Sequence, residues 1–241
     1  MNGNPGVESG YLKWPDLLEG KLIRRYQRFK ADVALRNGHV VTALCPNTGS
    51  MASCSEPGRT VYLSRQNRPT RMLKYTWEMI QMPTSLVGIN TLVPNRLVKT
   101  ALLAHSIPAL PGFERVRSEV RYGKNSRIDL LLEKGEEKCF IEVKNCTLME
   151  DGIAYFPDAV TSRGLKHLVE LEGEMRSGHR AVMFYLIQRM DAETFRPADH
   201  IDPEYGNALR IAFKKGLEIL AYDVRIDLAG IRLNRPLPVH L

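Results

Sequence analysis

The chain has 241 residues, 44% of them hydrophobic and 25% charged, which suits a globular protein of one large domain or two modest ones. Its 34 Lys and Arg against 27 Asp and Glu leave a formal net charge of +7, so the partner that suits the surface is a polyanion, nucleic acid foremost. No apolar run approaches the ~18–20 residues of a membrane helix, the four cysteines stand apart without a C-x-x-C, and no P-loop or G-x-G-x-x-G is present, so membrane, zinc-cluster and nucleotide-dependent classes lack support.

The opening stretch MNGNPGVESGYLKWPD has no basic segment followed by an apolar core. It reads as no secretory signal, and residues 1–15 are expected to form a disordered extension. The expected location is the cytoplasm. Residues 16–90 read as an all-β unit. GKLIRRYQRFKADVAL, HVVTAL, RTVYLS, RMLKYTWEMIQM and LVGIN alternate with Gly, Pro, Asn and Ser punctuation. Some five strands in this length suit a small closed barrel of OB type. Basic residues gather there (Arg24, Arg25, Arg28 and Lys30, then Arg65, Arg68, Arg71 and Lys74), with Tyr26, Phe29, Tyr62, Tyr75 and Trp77 among them. Such barrels grip single strands with cations and stacking rings, although each ring taken singly is a better core candidate.

Pro94 and Asn95 open a helix of roughly ten residues, closed before Pro108 and Pro111. A third basic group follows: Arg115, Arg117, Arg121, Lys124 and Arg127. Further on, Leu165, Leu168, Leu171 and Met175 recur at helical spacing. RAVMFYLIQ reads as a strand buried on both faces. Asp202 as N-cap, Pro203 in the first turn and Gly216 beyond the end bracket another helix, and LEILAYDV reads as a last buried strand. Residues 91–241 are therefore expected to form an α/β domain with a mixed sheet covered by helices.

The stretch SRIDLLLEKGEEKCFIEVKN (126–145) carries the chemistry. A turn at Lys134–Glu137 pairs Glu133 with Lys138 and sets Asp129 opposite Glu142. In that register Asp129 and Leu131 share a face with Phe140, Glu142 and Lys144, while Ile128, Leu130, Leu132, Cys139, Ile141 and Val143 face the core. Two neighbouring carboxylates repel each other, and a divalent cation relieves them. Mg²⁺, or Mn²⁺ in its place, takes one or two carboxylates and fills the rest of its shell with water and phosphate. Asp129, Glu142 and the Val143 carbonyl are the candidate metal ligands, and Lys144 the residue that positions water or steadies charge on phosphate. The spacing D-x₁₂-E-x-K alone is weak, since an ion-paired, solvated sheet face would look the same.

The strand–turn–strand with these charges, in a basic chain with helices before and after, resembles the PD-(D/E)XK nuclease superfamily. The match is loose at the first acid, where SRID lacks the proline, and the helix from Asn95 to His105 lacks the acid that many such nucleases add. Beyond that hairpin, CPNTGSM (45–51), PNRL (94–97), EVRYGKNSRIDLLLE (119–133), IEVKNCTL (141–148), FPDAVTSRGLKHL (156–168) and FRPADHIDPEY (195–205) resemble the sugar fermentation stimulation protein family over nearly the whole chain. That resemblance implies an OB-like domain, a restriction-endonuclease-like domain, and DNA binding linked to sugar metabolism. Carried over, the nuclease motif falls on Asp129, Glu142 and Lys144.

Asn47 and Thr48 in CPNTGSM are candidate phosphate contacts, against a plain inter-strand turn. Arg163, Lys166 and His167, near a helix start, are candidates too, against a solvated helix face. Arg24 and Arg25 are the barrel's candidates, and Gln188 could reach phosphate or metal-bound water. The expected function is DNA binding, with single-stranded DNA or RNA as related substrates, and Mg²⁺-dependent phosphodiester cleavage. The alternative is a non-catalytic DNA-binding regulator that keeps the nuclease fold. A carbohydrate enzyme is disfavoured, for want of a sugar-binding aromatic platform.

Overall fold

The computed structural model describes residues 10–66, 70–123 and 126–241. Arg68, Lys124 and residues 1–9 of the expected extension lie outside them. The extension is shorter than residues 1–15: Tyr11–Lys13 form strand β1, paired antiparallel with the last strand of the chain.

The next strands are β2 (Leu17–Tyr26), β3 (Lys30–Leu35), β4 (Val40–Leu44), β5 (Thr60–Arg65), β6 (Tyr75–Gln81) and β7 (Leu86–Gly88). β2 and β3 form a hairpin whose turn residues Gln27 and Arg28 both have positive φ, 51° and 61°. Antiparallel pairings β4–β3–β2–β5–β6 wind round until β4 meets β6 in parallel, so five strands close a barrel of OB type, with β7 added to β6. Leu22, Val33, Val61, Leu63 and Trp77 fill it. Closure removes the exposed strand edges that a short open sheet would present. Trp77 is fully buried, while Phe29 is 43% exposed.

The second unit starts with helix α1 (Val93–Leu103) and continues through β8 (Arg115–Tyr122), β9 (Ser126–Lys134), β10 (Glu137–Cys146), β11 (Leu148–Glu150) and β12 (Ile153–Phe156). Then come α2 (Ser162–Arg176), β13 (Arg180–Ile187), β14 (Thr194–Pro197), α3 (Pro203–Lys214), β15 (Glu218–Ile226) and β16 (Gly230–Pro236). One seven-stranded sheet runs β1-β16-β15-β13-β10-β9-β8, with β10, β13 and β15 parallel at its centre, as a mixed sheet requires. A small sheet, β11-β12-β14, lies beside it. Thr161 caps α2 through Gly164 N–H, and Asp202 caps α3 through Tyr205 N–H while also accepting from Thr161 N–H.

The central strands are buried on both sides, which explains their continuous apolar runs. Leu130, Leu132, Cys139, Ile141 and Val143 pack with Leu97 and Val98 of α1, and with Met79 and Leu86 of the barrel. Leu131 and Phe140 pack with Leu168 of α2 and Leu209 of α3. The expected alternation fails at one point. Ile128 lies with Leu131, not with Leu130, so the pattern slips at Asp129. Glu119, the residue opposite it on β8, takes φ 55°, and neither joins the regular ladder on either side. A left-handed residue tilts the strand locally, as a bulge does.

Candidate active site

The hairpin takes the expected register: Lys138 stands opposite Glu133, whose carboxylate meets Arg117 at 3.5 Å, and the β9–β10 ladder runs to Ile141↔Leu130. There it stops, and a side chain takes over. Asp129 accepts the Val143 backbone N–H at 2.8 Å on one carboxylate oxygen and Asn95 Nδ2, from α1, at 2.7 Å on the other. The slip at Asp129 therefore aims its carboxylate at the strand edge and the first turn of α1. Glu142 and Lys144 stay on the α2 side. The expected sharing of one face by Asp129, Glu142 and Lys144 is thus corrected: two are on that face, and the third reaches in from the broken ladder.

Glu142 is buried, 3% exposed. Its Oε1 accepts from Lys144 Nζ at 2.8 Å and lies against His167 Nδ1, which is itself 3.0 Å from Lys144 Nζ. Burial alone would raise the Glu142 pKa, but the His167 and Lys144 contacts together outweigh it and hold the carboxyl below its usual value. Its other oxygen, Oε2, is buried with no partner among the described residues. Asp129 is pushed the other way, up to about 6, first by burial and then by the charge of Glu142. Tyr122 stands nearby with a buried, unpartnered hydroxyl, its pKa raised by burial first and then by the charges of Glu142 and Glu170.

An unpartnered buried carboxylate oxygen is costly, and here it lies beside a second carboxylate that resists ionisation. Both faults are those a hard cation corrects. The donor set of Asp129, Glu142 and the Val143 carbonyl is all oxygen, which suits Mg²⁺ or Mn²⁺. The protein's own cluster is sparse: among the described residues no group of three or more His, Cys, Asp and Glu is placed to hold a metal. The residues fit a cation that keeps most of its shell for water and phosphate.

The other sequence candidates divide into two groups. Arg25 donates to the carbonyls of Arg28, Asn47, Gly49 and Ser50, and Asn47 is buried, accepting Gly49 N–H and donating to Thr147 Oγ1 at 3.4 Å. Both shape the CPNTGSM loop and seat it on the strand end just past Lys144. Asp158, unnoticed in the sequence, holds the same loop by accepting Met51 N–H at 3.2 Å. Gln188 is fully buried; its amide donates to Asn145 Oδ1 at 2.6 Å and to the Asn90 carbonyl at 3.4 Å, and its backbone carbonyl accepts Gly88 N–H, so it serves the junction with the barrel. Exposed cations remain in Arg24, paired with Asp32 at 2.8 Å, in Arg163 and in Lys166. Arg163 Nε reaches His167 Nε2 at 3.4 Å and so adjoins the Glu142 cluster, while Lys166 lies 3.7 Å from Glu170. Thr48 is exposed at the loop tip. Reading by strand pairs missed Asn95, which comes from another element, and the contact of His167 with Glu142, whose only hint was its place on α2.

Two family models divide the chain as the fold does: an SfsA N-terminal OB domain over residues 23–89, and a sugar fermentation stimulation protein RE domain over residues 92–230. The chain belongs to the sugar fermentation stimulation protein family. A sugar fermentation stimulation protein homolog of Geotalea daltonii is 54% identical over 227 residues, covering 94% of this chain and 98% of that relative. The homolog of Nitrosococcus oceani is 54% identical over 229 residues, covering 93% and 97%. Among solved structures, SfsA of Pyrococcus furiosus, in complex with Ca²⁺, superposes with a TM-score of 0.87 at 26% identity, over 95% of this chain and 98% of the other. No helix among the described residues is long and apolar enough to cross a membrane.

Proposed function

We propose that this member of the sugar fermentation stimulation family binds nucleic acid and carries a Mg²⁺- or Mn²⁺-dependent phosphodiesterase site in its C-terminal domain. The observation that carries the reading is the set of buried Glu142 with half-buried Asp129 and Lys144, in which Glu142 Oε2 has no partner among the described residues. The archaeal relative solved with Ca²⁺ supports a divalent cation in this fold. Exposed Arg115, Arg117 and Arg121 along edge strand β8, with Arg163 and Lys166 on α2, support a polyanionic substrate. All four cysteines are free and buried, which suits the reducing cytoplasm.

Asp129, Glu142 and the Val143 carbonyl would hold the cation. Bound there, a divalent ion supplies Lewis-acid polarisation of a phosphoryl oxygen and a water acidified toward neutrality. Asn95 and the Val143 N–H fix the Asp129 carboxylate, and Lys144, held by Glu142 and His167, keeps an ammonium beside the reacting phosphate. Arg163 offers an exposed guanidinium for the flanking phosphate.

A second reading has its own observation. Both Asp129 oxygens already hold N–H donors and Lys144 is tied to Glu142, so the cluster is also self-consistent as structure. The protein would then be a non-catalytic DNA-binding regulator of sugar metabolism. Incubation of single- and double-stranded DNA and RNA with Mg²⁺, Mn²⁺ or EDTA separates the two. Cleavage that needs metal and is lost in Asp129→Ala and Lys144→Ala is expected; equal cleavage by parent and variants sinks the assignment, and intact substrates throughout favour the regulator. Affinity should fall steeply with salt, and a flat response would remove the phosphate contacts.

A further inference from the structure

A cleft of about 700 Å³ lies where the barrel meets the C-terminal domain, apart from the Asp129–Glu142 cluster. Its walls come from both units and from the segment that follows β1. Trp14 and Leu92 supply its apolar side, and Lys13, Arg71 and Arg96 its cations. Leu92 is 70% exposed and open to a ligand in the cleft. No ion pair engages Lys13, Arg71 or Arg96 among the described residues. Helix α1 begins here. Its N-cap is Leu92 and its first turn holds no acid, while the Leu92 and Val93 N–H groups donate to Asn90 and Pro94 has none to offer. Thr76 lines the cleft too, 3% exposed, with a buried hydroxyl that has no partner.

We propose that this cleft binds one nucleotide, its base against Trp14 and Leu92 and its phosphate against Arg71, Arg96 and Lys13. A flat ring flanked by unpaired cations is the pattern that holds an unpaired base and its phosphate. In the polar floor the Thr76 hydroxyl is unpaired, while Asn90 Nδ2 donates to Glu78 Oε2 at 2.7 Å and Ser64 donates to the other Glu78 oxygen. The unpaired nucleotide of a bound strand and a free mononucleotide share this chemistry. The strand source rests on the nucleic-acid reading above and joins the two sites: Arg96 follows Asn95, whose amide holds Asp129. A strand seated in the cleft leads along the first turn of α1 toward the candidate cation ligands.

The chain has two tryptophans, and Trp77 is fully buried, so a ligand-induced change in tryptophan emission reports on Trp14. The parent, Trp14→Phe, Arg71→Ala and Arg96→Ala are titrated in EDTA with fluorescein-labelled oligo-dT, with a blunt duplex and with dTMP, following emission and anisotropy; circular dichroism checks each fold. The expected result is quenching by oligo-dT, little by the duplex, and none in Trp14→Phe. Arg71→Ala and Arg96→Ala should each lower the log–log salt slope of oligo-dT binding by about 1. Quenching by dTMP without strand binding supports the cleft with a free nucleotide as its ligand and removes the nucleic-acid reading. Strand binding by anisotropy, with unchanged emission and arginine variants equal to the parent, overturns the cleft and leaves that reading standing. No response to any ligand overturns both.

Discussion

Arg25 and Asp129 show how a residue's role turns on where its side chain points. In sequence Arg25 belongs to a basic run; in the fold its guanidinium donates to four backbone carbonyls, three of them in the CPNTGSM loop. Lysine cannot reproduce that planar fork, so Arg25→Lys is expected to cost on the order of 2 kcal/mol, seen as an earlier urea midpoint; an unchanged midpoint would return Arg25 to the surface cations. For Asp129 the folded carboxyl titrates near 6 against an ordinary 3.8. Between about pH 4 and 6 the folded chain keeps a proton that the unfolded chain has released, so stability in EDTA falls as pH rises through that window and levels off above it. Asp129→Asn should erase that slope, while its NH2 group can no longer accept one of the two N–H bonds that the carboxylate holds. Mg²⁺ at pH 7 should raise the Tm of the parent and not of Asp129→Asn. A parent indifferent to both pH and Mg²⁺ would show that the carboxylates need no cation. The identities of Asp129, Glu142 and Lys144 were legible because strand spacing and the hairpin register bring them close. Their geometry was not, because the left-handed Glu119 breaks a parity that sequence alternation assumes, and Asn95 and His167 arrive from helices.

At the scale of elements, the long apolar runs of β10, β13 and β15 and the capped helices α2 and α3 were readable from periodicity and punctuation. β8 was not: its polar, basic pattern belongs to a solvated edge strand, where charge discourages pairing with another chain. The short β1 was hidden in what looked like an extension, since three residues carry too little pattern to announce a strand. The meeting of β7 with the end of β13 was invisible too. There Gly88 N–H donates to the Gln188 carbonyl, and a Cβ on Gly88 would stand 2.5 Å from Gln188 Oε1. Gly88→Ala is expected to cost about 1–3 kcal/mol by overpacking, with a lower Tm. Adding Gln188→Ala should recover part of that loss, and additive losses in the double variant would place the strain elsewhere.

For the whole molecule, the barrel and the α/β domain share a core. Met79 and Leu86 of the barrel pack in the same cluster as Leu97, Ile141 and Phe184 of the second unit. Removing the partner would expose that apolar face to water. Calorimetry of the full chain is therefore expected to give one cooperative transition, and a fragment of residues 10–90 to lack a sharp one. Two resolved transitions would mean that the shared cluster couples the units weakly.

Four of the five joins in the barrel ring are made by five or six residue pairs, but β4 and β6 meet through Ala43↔Tyr75 and Leu44↔Thr76 alone. That short clasp borders the interdomain cleft, since Leu44 and Thr76 line it. The barrel is thus fastened at its weakest point beside the place where a guest would sit. The amide hydrogens that point between β4 and β6 at this clasp should exchange with solvent faster than those of β2, and a guest that grips both sides should slow them, making the fastening of the barrel a gauge of cleft occupancy.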